Sequence, residues 1–203
     1  YRVIVEPDTA KCPSGYCNFY KREIAVNPNL FSELSAKDQY QLTKAILVHE
    51  AGHRRFTTPN KLSPLIHHIA NILEDERIER QMCLEFSGVR WLVKMLAHEL
   101  YKESGEIDES SDSPCQVVAY FLQLRWAKRL DKPVKGKLSP KNQDLWEKIE
   151  PLVYEAWDAE STELVDKNAK RIAHILEFKE FELPQWVKEI LSKLGSLEGE
   201  RRE

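Results

Sequence analysis

Short apolar runs with strand-like alternation open the chain, and helical periodicity follows. Tyr1-Arg2-Val3-Ile4-Val5 and the segment from Phe19 to Val26 are rich in β-branched and aromatic residues, with Pro13, Gly15 and Asn18 between them. They predict two or three strands of a small sheet. Leu42, Ala45, Ile46 and Val48 then recur at helical intervals behind Ser35-Ala36-Lys37-Asp38, which reads as a capping box. A second helix begins at Ser63-Pro64, a cap followed by proline in the first turn. Leu92, Val93, Leu96 and Leu100 predict a third helix, and Val117 to Leu130, entered through Ser113-Pro114, a fourth. Ser139-Pro140 opens another with Leu145, Trp146 and Ile149, and Leu164 to Phe181 and Trp186 to Leu194 complete the pattern. The fold class expected is α+β and mainly helical, with a small N-terminal β-sheet and a helical C-terminal half.

A length of 203 residues suits one domain, or a core over residues 1–105 with a helical lobe over 106–203 that can belong to the same domain. Glu106 to Ser113, rich in acids and serine, and Lys132 to Ser139, with proline and glycine, are the candidate flexible joins. With 42% hydrophobic and 31% charged residues, the chain reads as soluble and globular. A net charge of -3 and short Lys/Arg runs give no reason to expect nucleic-acid binding. No apolar stretch reaches membrane-spanning length and no signal peptide is visible, so a cytoplasmic protein without a membrane partner is expected. Cys12 and Cys17 are expected as free thiols in a reducing compartment, with a disulfide between them as the alternative.

The sharpest chemistry lies in Val48-His49-Glu50-Ala51-Gly52-His53. Residues i and i+4 share a helix face, so HExxH lets His49 and His53 each give a ring nitrogen to one tetrahedral Zn²⁺. Glu50 then sits beside the open coordination position as the candidate general base. An exposed, solvated helix face is the competing reading, and the apolar residues upstream argue against it. Gly52 costs about 1 kcal/mol of helix propensity, so a close approach to the backbone is expected there.

A catalytic zinc needs a third protein ligand. Arg54 to Pro59 contains no histidine, which removes the usual third-His continuation. The helix after Ser63-Pro64 carries Asn71-Ile72-Leu73-Glu74-Asp75-Glu76-Arg77-Ile78-Glu79, and a helix, short loop and returning helix would bring Glu74 or Asp75 over the histidines. Asn71, Asp75 and Glu79 form one i, i+4 stripe that would flank a ligand with supporting partners. Glu74 lies about 100° away, and spacing leaves the choice open. A merely solvated charged surface is the alternative for both acids. His98 and His174 read as core or surface histidines, and His67 and His68 as structural, with one of them a candidate for facing the cleft. From Trp91 onward no chemistry is legible.

HEAGH followed by NILEDERIE and then Phe86-Ser87-Gly88-Val89-Arg90 resembles the metallopeptidase-like segment of von Willebrand A-domain-associated and cobaltochelatase-subunit-like proteins. It is also similar to metallopeptidases in which HExxH is followed by an Asn-xxx-Asp helix. The resemblance covers roughly residues 20 to 95. It implies a zincin-like fold, with Asp75 as the third ligand and Glu74 as the alternative. It also implies that Glu23-Ile24-Ala25-Val26 is an edge strand that pairs with an extended substrate. A purely structural sheet covering the helix pair is the other reading.

The function expected is a zinc-dependent metallopeptidase, latent or active, acting on a peptide or protein substrate and open to a regulatory protein partner. The alternative is a catalytically inactive, metal-stabilised interaction module or adaptor of an ATPase or von Willebrand A-type system.

Overall fold

Ser35 caps the first long helix as its sequence predicts. Its Oγ accepts the Asp38 backbone N–H and donates to the Asp38 carboxylate at 2.7 Å. The computed structural model describes residues 2–7, 11–12, 15–178 and 181–193. Three strands precede that helix: β1 (Arg2–Val5), β2 (Gly15–Asn18) and β3 (Glu23–Val26). Their order is β1-β3-β2, with β1 parallel and β2 antiparallel to β3.

Glu23–Val26 is therefore the central strand, which overturns its expected role as the free, substrate-pairing edge. The reason is burial: Ile24, Ala25 and Val26 are core residues, whereas Val3 and Val5 of β1 are exposed. A continuous apolar run suits a strand covered on both sides. β2 also lies where separators were expected. A Cβ on Gly15 would meet Ile46 Cγ2 at 2.6 Å and Glu50 Cγ at 3.2 Å, so the missing side chain lets this strand lie directly on the first helix. Phe19 to Arg22 forms the turn into β3, with Asn18 Oδ1 accepting the Lys21 N–H at 2.8 Å.

The helices among the described residues are α1 (Ala36–Phe56), α2 (Pro64–Glu85), α3 (Arg90–Glu103), α4 (Cys115–Leu130), α5 (Pro140–Trp157), α6 (Thr162–Leu176) and α7 (Gln185–Lys193), with a 3₁₀ turn at Ser87–Val89. α6 stops earlier than its apolar pattern suggested, at Glu177 in the left-handed region. Leu194, expected to end the last helix, and Tyr1 and Pro13 lie outside the described residues. One hydrophobic core runs from Val26 and Phe31 through α1 and α2 to Val187 and Leu191 of α7. No helix among the described residues is long and apolar enough to cross a membrane.

The two segments expected to be flexible joins hold each other. The Ile107 N–H donates to the Lys135 carbonyl at 2.9 Å, Ser139 Oγ donates to Asp112 at 2.7 Å, and Asn142 Nδ2 donates to the Ser111 carbonyl at 2.9 Å. Gly136, at φ 79°, makes this possible, because a Cβ there would lie 2.4 Å from the Ile107 carbonyl oxygen. Polar composition concealed a buried anchor, Ile107, that ties the two loops together.

α1 and α2 form an antiparallel pair, and Gly52 is a point of close contact between them. A Cβ on Gly52 would meet Met82 Cγ at 3.1 Å and Ile78 Cδ1 at 3.3 Å. The close approach expected at this glycine is that of α2's side chains. It sets the separation across which the two helices present their polar groups.

Candidate metal centre

His49, Glu50 and His53 all lie on α1; His49 and His53 face α2 across this contact, and Glu50 lies against Gly15 of β2. His49 is 2%, Glu50 4% and Asp75 0% exposed, whereas the His53 side chain keeps 18% of its surface open. Asp75 Oδ1 is 3.1 Å from His53 Nε2 and 3.6 Å from His49 Nε2. His49, His53 and Asp75 thus form a group that could hold a metal ion, with one ligand atom from each within 4.8 Å of the others. His49 Nε2 is buried and has no hydrogen-bond partner, a costly arrangement for a polar atom unless a cation takes its lone pair.

Each histidine has its other nitrogen occupied. His49 Nδ1 lies 3.0 Å from Glu79 Oε1, and an N–H there leaves Nε2 as the lone-pair donor. His53 Nδ1 lies 3.2 Å from Thr57 Oγ1, which donates to Glu74 Oε1 at 2.7 Å. Because Thr57 gives its only proton to Glu74, it accepts the one on His53 Nδ1, again turning the Nε2 lone pair toward Asp75. Between Asp75 and that lone pair a proton or a metal cation is required, since two lone pairs would otherwise face each other.

This arrangement separates the two acids that spacing left open. Glu74 points away from the histidines into a polar knot: Arg77 Nε donates to Oε2 at 2.7 Å and Nη2 to Oε1 at 2.6 Å, and Thr162 Oγ1 donates to Oε1 at 2.9 Å. Asp75 occupies the group itself. Glu79, one turn further along the Asn71-Asp75-Glu79 stripe, supports His49. Asn71 Nδ2 donates to His67 Nε2 at 3.0 Å, and His68 stacks on Phe181 at 5.8 Å. Neither His67 nor His68 belongs to the three-residue group. His98 lies exposed beside Glu99, and His174 is exposed on α6.

The C-terminal half, in which no chemistry was legible, supplies cations to this site. Arg125 of α4 donates from Nη1 to Asp75 Oδ2 at 3.0 Å and sets Nη2 3.1 Å from Glu79 Oε1. Arg129 bonds Glu79 through Nη1 and Glu76 through Nη2, the latter at 2.7 Å. The sequence did carry a signal for them: Arg125 stands in the apolar run of α4, one turn after Leu122, where a core residue belongs.

Electrostatics divides the carboxylates. Burial pushes the Glu50 carboxyl up to about 8, with His53 pulling it down and Asp75 adding to the rise. Asp75 is also buried, but His49, the bond to His53 and Arg125 bring it down to about 2. Burial opposes ionisation of Glu79 as well, yet Arg125, Arg129 and His49 hold it well below the usual carboxylate range. Asp75 and Glu79 thus remain anions where a cation would bind, while Glu50 keeps a proton near neutral pH unless a cation draws it off. Cys12 and Cys17 are not joined in a disulfide. Burial, with Glu50 adding and Arg54 opposing, pushes Cys17 up to about 12, so its thiolate is disfavoured as a ligand or nucleophile.

Comparison of the chain with protein-family models, with curated proteins and with solved structures finds no match.

Proposed function

We propose that this chain is a zinc-dependent metallopeptidase of the HExxH type, with His49, His53 and Asp75 as metal ligands and Glu50 as general base. The observation that supports it most is the convergence of two oriented imidazoles and a carboxylate oxygen, one imidazole nitrogen being buried and unpartnered, beside a protonatable glutamate. Two nitrogens and one oxygen are a donor set that suits zinc, and three protein ligands leave a position for water. Zinc, when bound, supplies Lewis acidity toward a carbonyl oxygen and a water of lowered pKa. Glu50 would take a proton from the attacking water and pass it to the leaving amine. Glu79, and Thr57 with Glu74, keep the two imidazoles in the tautomer that binds metal. Among the described residues of the site, the His53 side chain keeps the most open surface, so substrate would approach from there. The strand positioned to accept an extended peptide next to Glu50 is β2, an edge strand, in place of β3.

The burial of His49, Glu50 and Asp75 also favours a second reading, a closed metal site in a latent peptidase or in an inactive interaction module. One comparison separates them. Elemental analysis and peptide-library cleavage should show one zinc per chain and turnover in the wild type, zinc without turnover in Glu50→Gln, and neither in His49→Ala. Zinc retained in His49→Ala would sink the metal assignment. A zinc-loaded wild type indistinguishable from Glu50→Gln would replace the peptidase with the interaction module.

A further inference from the structure

Within the proposed metal site, and resting on that reading, Asp75 has two oxygens with different surroundings. Oδ1 faces His49 and His53, whereas Oδ2 accepts a hydrogen bond from Arg125 Nη1 at 3.0 Å. The same guanidinium places Nη2 3.1 Å from Glu79 Oε1, the oxygen that meets His49 Nδ1. The Arg125 side chain is 0% exposed, and its Nε lies 3.6 Å from Glu76 Oε2. Three carboxylates therefore surround one buried cation. Arg129, by contrast, pairs with Glu76 and Glu79 and not with Asp75 among the described residues.

We infer that Arg125 is a positioning residue of the metal centre: it occupies Asp75 Oδ2, so that the carboxylate offers a metal one oxygen, and it sets its charge against Glu79, the acceptor for His49. A bidentate aspartate would fill the position that water needs, and an unrestrained carboxylate can rotate into that mode. A guanidinium suits this task because its planar fork spans two carboxylates at fixed angles, which a lysine ammonium cannot do. Together with Arg129, this buried charge also offsets Glu76 and Glu79 behind the ligands. The C-terminal half of the chain is thereby part of the metal centre, since α4 carries the residue that determines how an α2 ligand binds.

Cobalt(II) is the probe, because its visible absorption is intense when four-coordinate and weak when the coordination number rises. The wild-type chain should bind one Co²⁺ with the intense spectrum, and X-ray absorption should find Asp75 contributing one oxygen. Arg125→Lys should weaken Co²⁺ binding about 10–100-fold, the range for loss of a supporting partner, and reduce the absorption. Arg125→Met combined with Glu76→Gln removes one cation and one anion together, preserving the charge balance of the buried cluster, and should behave in the same way. Unchanged affinity and spectrum in either folded variant would overturn the inference. So would a bidentate carboxylate in the wild type, a measurement that needs no variant to fold. Failure of the wild type to bind Co²⁺ at all would instead overturn the metal reading on which the inference rests.

Discussion

Thr57 Oγ1 donates to Glu74 Oε1 at 2.7 Å and lies 3.2 Å from His53 Nδ1, so the carboxylate next in sequence to Asp75 acts on the site through a hydroxyl. Two adjacent acids on α2 thus do different work because they leave the helix about 100° apart. Asp75 enters the histidine group, and Glu74 orients one of its members from behind.

That difference predicts opposite metal-binding phenotypes. Asp75→Asn should lose most of its zinc, while Glu74→Gln should keep one zinc per chain with affinity reduced about 10–100-fold. Thr57→Val should weaken binding to a similar degree, since it removes the same link. Competition with a chromophoric chelator measures all three, and zinc loss in Glu74→Gln with retention in Asp75→Asn would reverse the assignment.

Gly52 should limit the size of side chain tolerated between the helices. Alanine gains about 1 kcal/mol of helix propensity and presses on side chains that must give by only a few tenths of an ångström, Met82 Cγ at 3.1 Å and Ile78 Cδ1 at 3.3 Å. Gly52→Ala should therefore stay within about 1 kcal/mol of wild type in urea unfolding. Gly52→Leu should cost roughly 1–3 kcal/mol by overpacking and should also weaken zinc, because His53 and Asp75 sit across the same contact. Full zinc affinity in Gly52→Leu would show that helix separation does not control the site.

The metal-free protein should lose stability as pH rises. The unfolded chain releases the Glu50 proton near the ordinary 4.5, whereas the folded chain holds it until about 8. The unfolded state is thus favoured progressively across that window. Urea midpoints in the presence of chelator should fall between pH 5 and pH 8 for wild type, and Glu50→Gln should flatten that fall. Parallel curves for the two proteins would contradict the assigned burial of Glu50.

Gly136 ties together the two loops that composition marked as joins. Gly136→Ala combines a left-handed backbone with a Cβ 2.4 Å from the Ile107 oxygen, and should cost about 1–3 kcal/mol. Thermal unfolding measures it, and an unchanged midpoint would mean that the loops are not held to each other.

Much of the architecture follows from local rules that need no knowledge of neighbours. Ser35 and Ser139 cap their helices through side-chain hydrogen bonds, and Pro64 and Pro140 stand in the first turns of theirs, because caps and prolines act on their own first turn. His49 and His53 share a face for the same reason, as 3.6 residues per turn leaves no alternative within α1. What neighbours decide was hidden. Gly15 read as a break and is a strand residue, because the space it vacates is needed by Ile46 and Glu50. Glu23–Val26 read as an edge and is central, because strand order depends on which chains arrive on either side. Glu74 and Asp75 could not be separated by spacing, because the angle at which α2 crosses α1 decides which of them meets the histidines. Arg125, distant in sequence, reaches Asp75 only because the core brings α4 against α2. The sequence by itself determined the helix starts and the HExxH face, where the interactions span a few residues. Tertiary packing alone decided the strand order, the third member of the site and its arginine support, where the interactions join residues tens of positions apart.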